Sequence, residues 1–247
     1  MSAKPTTLEQ IRISGKNLGA MALPTFCPRC SWIKLKLQNR LPFQIFPGIF
    51  SSIDAYTKHV VHGYFDAHGT APPWLADLGD IVGYREPPSW HYFNALIDDH
   101  NILLTGAADG ILVRSDRSHL IVDYKTARFT AAQDELLPMY EVQLNAYAML
   151  GNACGFNPVT GLALIYMQPM TGPSVDAAAM CDDAGFLMGF SAHIRHVDLD
   201  LARLEPLFAR TRELYEMPAP PAGRDGCQDC ANTGRLAATL PIGQPME

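Results

Sequence analysis

Three residues have types and spacing suited to phosphate chemistry: Asp109, Asp123 and Lys125. They lie in the segment G-A-A-D-G-I-L-V-R-S-D-R-S-H-L-I-V-D-Y-K-T. Residues two apart on a strand share a face, so Asp123 and Lys125 project side by side and Tyr124 points the other way. The turn chemistry of S-D-R-S lets strands over 108–114 and 119–125 pair, which sets Asp109 near the end of the strand carrying Asp123. Two such carboxylates can hold a hard divalent cation through oxygen. The cation would polarise a phosphate and lower the pKa of a bound water. A lysine beside it can deprotonate or orient that water, or neutralise charge on the phosphate. An isolated Asp-x-Lys is common and is ordinarily a surface ion pair of little consequence. Its place after an apolar Ile-Val run, with Gly-x-x-Asp in the strand before, gives this one its weight.

The following segment, 137–151, reads as a helix that stops at Gly151. Tyr140, Gln143 and Tyr147 are spaced by three and four and so lie on one face. Their polar tips could reach phosphate oxygens or a metal's waters; taken alone, the two tyrosines would be ordinary half-buried core residues.

Around this centre the pattern predicts the remaining elements. Residues 1–25 show no clear periodicity. A short helix over 26–40 carries the first cysteine pair, and Pro42 and Pro47 then break regular structure. A helix capped by Ser51 or Ser52 runs to about residue 67, with Ile53, Tyr56, Val60, Tyr64 and Ala67 as its apolar face. Residues 68–90, rich in Pro and Gly, form an irregular connection. Strands over 101–105, 108–114 and 119–125 make a three-stranded antiparallel meander. Strands over 161–168 and 186–199 and an amphipathic helix over 200–216 follow. A Pro-rich linker at 218–223 leads to the second cysteine pair and an unstructured tail. The order implies an α/β (α+β) fold with mixed strand directions, arranged as a single domain over 1–247.

In combination, G-x-x-D, D-Y-K-T and Q-L-N-A-Y-A resemble the motifs of the RecB-like branch of the PD-(D/E)XK nuclease superfamily, which includes the RecB and AddB nuclease domains and CRISPR-associated relatives. The resemblance is strong over about 100–150 and looser at the cysteines. It implies a restriction-endonuclease-like core with a mixed central sheet flanked by helices. It implies that Asp109 and Asp123 ligate Mg²⁺ or Mn²⁺ together with the Tyr124 carbonyl, that Lys125 is catalytic, and that Gln143 and Tyr147 complete the site. Many relatives carry a histidine or an acidic residue on a helix upstream. His59, His62 and Glu86 are available here, with His62 favoured. Either histidine has a surface or packing role as its alternative.

Cys27 and Cys30 form C-P-R-C, and Cys227 and Cys230 form C-Q-D-C. Two such pairs make a tetrahedral sulfur set, so 26–40 and 224–232 are expected to build one Cys₄ centre that staples the chain ends. Some RecB-like nucleases hold a 4Fe–4S cluster with terminal cysteines, usually one near the N-terminus and three near the C-terminus. This chain has two and two. The resemblance leans to the cluster, while zinc suits four thiolates equally well. Cys154 and Cys181 read as small buried residues.

The bulk composition excludes little. Of 247 residues, 48% are hydrophobic and 18% charged, an ordinary globular balance. The net charge of −6 does not advertise nucleic-acid binding. The basic stretch Arg29, Lys34, Lys36 and Arg40 reads equally as a solvated helix face or a phosphate-contacting patch. No apolar run is long enough to span a bilayer and no secretory pattern opens the chain, so a cytoplasmic protein without a membrane partner is expected. The functional expectation is a metal-dependent DNA nuclease in repair, recombination or mobile-element and phage DNA processing. It would act on single strands or duplex ends, with a helicase or recombination partner. The alternative is a catalytically inactive nucleic-acid- or partner-binding module with the same fold and a structural metal.

Overall fold

The apolar strands in the middle of the chain do not stay together. In the computed structural model, which describes residues 8–40, 47–130, 135–173, 175–176 and 178–239, they divide between two sheets. The first half contains β1 (Ile11–Ser14), α1 (Gly15–Gly19), α2 (Pro28–Lys36), α3 (Gly48–His68), β2 (Ile81–Arg85), β3 (Asn94–Ile97) and β4 (Ile102–Thr105). Then come β5 (Gly110–Arg114), β6 (His119–Lys125), α4 (Leu137–Ala153), β7 (Val159–Pro169), β8 (Cys181–Asp182) and β9 (Gly185–Phe186). The chain continues through β10 (Phe190–Val197), α5 (Glu205–Glu216) and α6 (Gln228–Thr239).

The large sheet has the order β10-β7-β6-β5-β2. It is mixed: β6 and β7 run parallel, joined through α4, and the other neighbours are antiparallel. Alternation along β6 sorts its two faces. Ile121 packs into one core with Val142, Ala146 and Leu150 of α4. Leu120, Val122 and Tyr124 pack into a second core with Val61 and Phe65 of α3. The mixed α/β sheet flanked by helices matches the expected fold class.

Several local expectations are corrected. The meander fails at its first strand, because β4 joins the small sheet, pairing parallel with β1 and antiparallel with β3. Residues 11–19 are therefore ordered structure; β1 takes its backbone partners from a strand remote in sequence. Likewise β2, inside the stretch read as irregular, becomes regular by pairing with β5. Gly106, between β4 and β5, explains the change of course: a Cβ there would lie 2.8 Å from Leu150 Cδ1 and from Tyr147. The chain can press against α4 there only without a side chain.

Helix α3 begins at Gly48, and Ser52 donates back to the Gly48 carbonyl rather than capping. Its buried face is Thr57, Val61 and Phe65, while Tyr56 and Val60 are exposed. Both stripes are partly apolar, and contact with the sheet chooses between them. Helix α4 continues past Gly151 to Ala153; Gly151 instead admits Val159 and Ile121, which would lie 3.0 and 3.1 Å from a Cβ. The expected long strand is shortened to 190–197, the tail forms α6, and the helix over 200–216 opens with a short 3-10 turn. Cys181 is exposed and Cys154 only half-buried, its thiol directed at the Tyr92 and Asn94 carbonyls. Residues 1–7, 240–247 and the break around Pro42 lie outside the described residues.

The chain ends are pinned by Arg212 of α5. Its guanidinium donates to the carbonyls of Glu9 (3.0 Å), His100 (2.9 Å) and Asn101 (3.0 Å). These charge-assisted bonds compensate a buried cation.

Candidate active site and metal centre

The site forms at the end of the β5–β6 pair. Gly110 pairs with Val122, so the next residues outward, Asp109 and Asp123, lie across from each other. The turn that fixes this register contains Arg117 at φ 69° and an Asp116 carboxylate accepting from the Ser118 N–H at 2.8 Å. Asp123 and Lys125 share the strand face of Ile121, which is the α4 side.

Asp123 is 2% exposed. Its Oδ1 accepts from Gln143 Nε2 at 3.2 Å, and its Oδ2 pairs with Lys125 Nζ. The Lys125 ammonium lies 4.5 Å from the centre of the Tyr140 ring, whose face favours a cation. Gln143 also donates to Tyr147 Oη at 2.8 Å. Asp109 accepts the Tyr124 N–H at 2.9 Å through Oδ2. The expected face of Tyr140, Gln143 and Tyr147 thus meets the carboxylates.

Burial pushes the Asp123 carboxyl up, Lys125 opposes this, and the negative charge of Asp109 adds to it; the outcome is a pKa of about 7. Burial likewise raises the Tyr147 and Tyr124 hydroxyls, with Asp123 and Asp109 respectively adding to it.

His62 meets Glu86, another of the candidate residues. Its Nδ1 lies 3.0 Å from Glu86 Oε1, and its ring stacks on Tyr84 at 3.9 Å between centroids. His59 is exposed. Among the described residues, no set of three or more His, Asp, Glu or Cys that includes His62 has its ligand atoms within 4.8 Å of one another. The helix that carries these histidines does reach the carboxylates, through residues the sequence reading missed. Lys58 Nζ lies 3.0 Å from Asp109 Oδ1 and 2.8 Å from Asp54 Oδ2. Their spacing of four marks a helical pair, but nothing local shows that it faces Asp109.

The four terminal cysteines meet. Sulfur separations are 3.4 Å for Cys27–Cys230, 3.5 Å for Cys30–Cys230 and 3.7 Å for Cys30–Cys227. All four sulfurs lie within 4.8 Å of one another. Cys27 precedes Pro28 at the start of α2, and the Arg224 N–H donates to its sulfur at 3.2 Å. Burial raises the Cys27 thiol, but N–H bonds from Arg224 and Cys30 and the nearby thiols outweigh it and bring the pKa to about 6. Burial and the neighbouring thiols raise Cys30. Gly223 leaves room for this packing, since a Cβ there would lie 2.8 Å from Cys230 Sγ. Trp32 Nε1 donates to the Met217 carbonyl at 3.1 Å and Arg29 Nε to that of Pro221 at 3.0 Å, fastening the linker to α2. Lys36 lies over the Tyr215 ring at 4.1 Å. Half of the basic stretch is therefore engaged in holding the two chain ends together.

Comparison with known families now fits this geometry. The profile of the PD-(D/E)XK nuclease superfamily matches residues 55–234. The chain belongs to that superfamily. The matched PD-(D/E)XK region contains Lys58, Asp109, Asp123, Lys125, Gln143 and Tyr147 and the second cysteine pair, and it begins after the first. No curated protein matches the chain. A solved structure titled "Crystal structure of SSO0001" is 14% identical, covers 86% of this chain and 80% of its own, and gives a TM-score of 0.41. Superfamily membership makes a nuclease and a nucleic-acid substrate the general expectation. No described helix is long and apolar enough to cross a membrane.

Proposed function

We propose that this PD-(D/E)XK protein is a Mg²⁺- or Mn²⁺-dependent deoxyribonuclease of the RecB-like type. The observation that carries the reading is the buried Asp123, set opposite Asp109 and joined to both Lys125 and Gln143. The donors suit a hard cation. Two carboxylates converge, and Gln143 Oε1 is a buried acceptor without a hydrogen-bond partner, as suits a water of the ion. Asp109, Asp123 and the Tyr124 carbonyl would hold the ion, which supplies polarisation of the scissile phosphate and a more acidic water. Lys125, steadied by Asp123 and the Tyr140 ring, stands where it can orient that water or offset phosphate charge. Gln143 and Tyr147 fix Asp123. The RecB-like assignment and a role in repair, recombination or mobile-element DNA processing rest on the motif order G-x-x-D, D-Y-K-T, Q-x-x-x-Y.

The cysteines form a separate structural centre in this reading. Their spacing agrees with the roughly 3.8 Å edge of a tetrahedron with sulfur bonds of about 2.3 Å. Thiolates on a 4Fe–4S cluster stand further apart, about 6–7 Å. The spacing therefore favours one zinc ion over the cluster anticipated from the resemblance. Metal analysis and a visible spectrum of anaerobically purified protein test this: one zinc and no colour support it, and four irons with a brown sample overturn it.

The test of the enzyme is cleavage of single- and double-stranded DNA with Mg²⁺, with Mn²⁺ and without either. Cation-dependent cleavage that disappears in Lys125→Ala supports the proposal. Folded protein that binds DNA and never cuts it would identify a binding module instead.

A further inference from the structure

We propose that Lys58 is a second ammonium of the active site, a positioning residue that occupies Asp109 until a divalent cation displaces it and then turns to substrate phosphate. The inference rests on the nuclease reading above and deepens it.

Three of the four carboxylate oxygens accept hydrogen bonds, and the fourth, Asp123 Oδ2, lies against the Lys125 ammonium. Asp109 meets the Tyr124 N–H and Lys58; Asp123 meets Gln143 and Lys125. An incoming cation meets a partner on every oxygen, and two of those partners are themselves positive. The Tyr124 N–H belongs to the backbone of a central strand, and Gln143 is buried on α4. The two ammonium groups sit on flexible four-carbon stems and are the partners able to move. Lys125 already serves the same strand's Asp123. Lys58 arrives from α3, which packs on the opposite face of the sheet. Val61 and Phe65 bury that helix without help from Lys58.

Asp54, one turn earlier, gives Lys58 a second partner at 2.8 Å. An ammonium that yields Asp109 to the cation stays tethered beside the site with half its charge pairing lost. A phosphate oxygen is the ligand that restores it. Repulsion between Lys58 and the cation must oppose cation binding, since like charges at a few ångströms in a half-buried site interact by kilocalories. Attraction to phosphate must favour DNA. Lys58 therefore has effects of opposite sign on the two ligands.

The experiment measures both on the full-length protein. Mn²⁺ binding is followed by calorimetry or electron paramagnetic resonance; thiolate sites have little affinity for Mn²⁺, so the cysteine centre does not interfere. DNA binding is followed by anisotropy of a labelled oligodeoxynucleotide with Ca²⁺ present. Lys58→Met should bind Mn²⁺ about 3–10-fold more tightly and DNA about 3–10-fold more weakly, as expected for loss of one partly screened charge. Lys58→Arg should keep both near the parent. Asp54→Asn, which leaves Lys58 only Asp109 as a partner, should weaken Mn²⁺ binding, and it decides the matter if Lys58→Met does not fold. Lys58→Met weakening both ligands would reveal a merely structural anchor and overturn the proposal, as would no change in either. Asp123→Asn is the independent control: if it binds Mn²⁺ like the parent, the active-site reading fails whatever Lys58 does.

Discussion

Asp109, Asp123, Lys125 and Gln143 come from one short run of the chain, whereas the paired cysteines lie 197 to 203 positions apart. The first centre is fixed by a hairpin register and one helix face. The second joins the start of α2 to the start of α6, elements from opposite ends of the chain. Closing so long a loop is not prohibitive, because each doubling of loop length costs only about 0.6 kcal/mol more. Orienting four thiols together is the harder task, and Trp32, Arg29 and Arg224 share it by clasping the two ends. The contrast separates chemistry from architecture: the hairpin centre should govern rate, and the cysteine centre should govern whether the ends hold.

The sharpest way to break that contrast is to remove each centre in turn. Lys125→Ala should lower cleavage by about 10²–10⁴-fold in protein that still binds Mn²⁺, with some loss of stability because Asp123 loses its ion-pair partner. Asp123→Ala should lose both cleavage and Mn²⁺ binding. Parent-like cleavage by either would place the chemistry elsewhere. Cys230→Ser should lose the terminal metal and melt well below the parent, since structural zinc contributes on the order of 10 kcal/mol to small domains that depend on it. Its residual folded fraction should still bind Mn²⁺ at Asp123. Loss of Mn²⁺ binding in folded Cys230→Ser would show that the two centres are coupled.

Smaller effects probe the joint between the small sheet and α4. A Cβ on Gly19 would lie 2.3 Å from the Met139 carbonyl oxygen, in the backbone of α4. Gly19→Ala should destabilise by about 1–3 kcal/mol, read by urea unfolding. For Gly106→Ala the three nearest atoms belong to side chains, those of Leu150 and Tyr147. This substitution should destabilise less, yet disturb activity more through Tyr147 and Gln143. The reverse order would contradict the packing described here.

The smallest effect is one of pH. Asp123 rises from 3.8 to about 7 on folding without the cation. The folded state then holds a proton that the unfolded chain releases, so this group's stabilisation is complete below 3.8 and lost as pH rises through about 7. Melting of cation-free protein should fall over that window, and Asp123→Asn should flatten the difference. Mn²⁺ affinity should rise over the same window as the carboxyl ionises; affinity independent of pH would be inconsistent with it.

The sequence by itself determined whatever depends on near neighbours. The period of two put Asp123 and Lys125 together, the S-D-R-S turn set Asp109 across from Asp123, and spacings of three and four gathered Tyr140, Gln143 and Tyr147. Paired cysteines marked a candidate metal centre because ligand geometry needs close pairs. Only the tertiary structure decided which stripe of α3 is buried, because 53/56/60 and 57/61/65 are both apolar enough to serve. It alone removed β4 from the meander and gave it β1, since a parallel pairing between remote segments leaves no trace in either. It also brought Lys58 to Asp109 and sent His62 to Glu86 and Tyr84. One helix offers lysine and histidine a turn apart, and packing against the sheet sets Lys58 against Asp109 and His62 against Glu86.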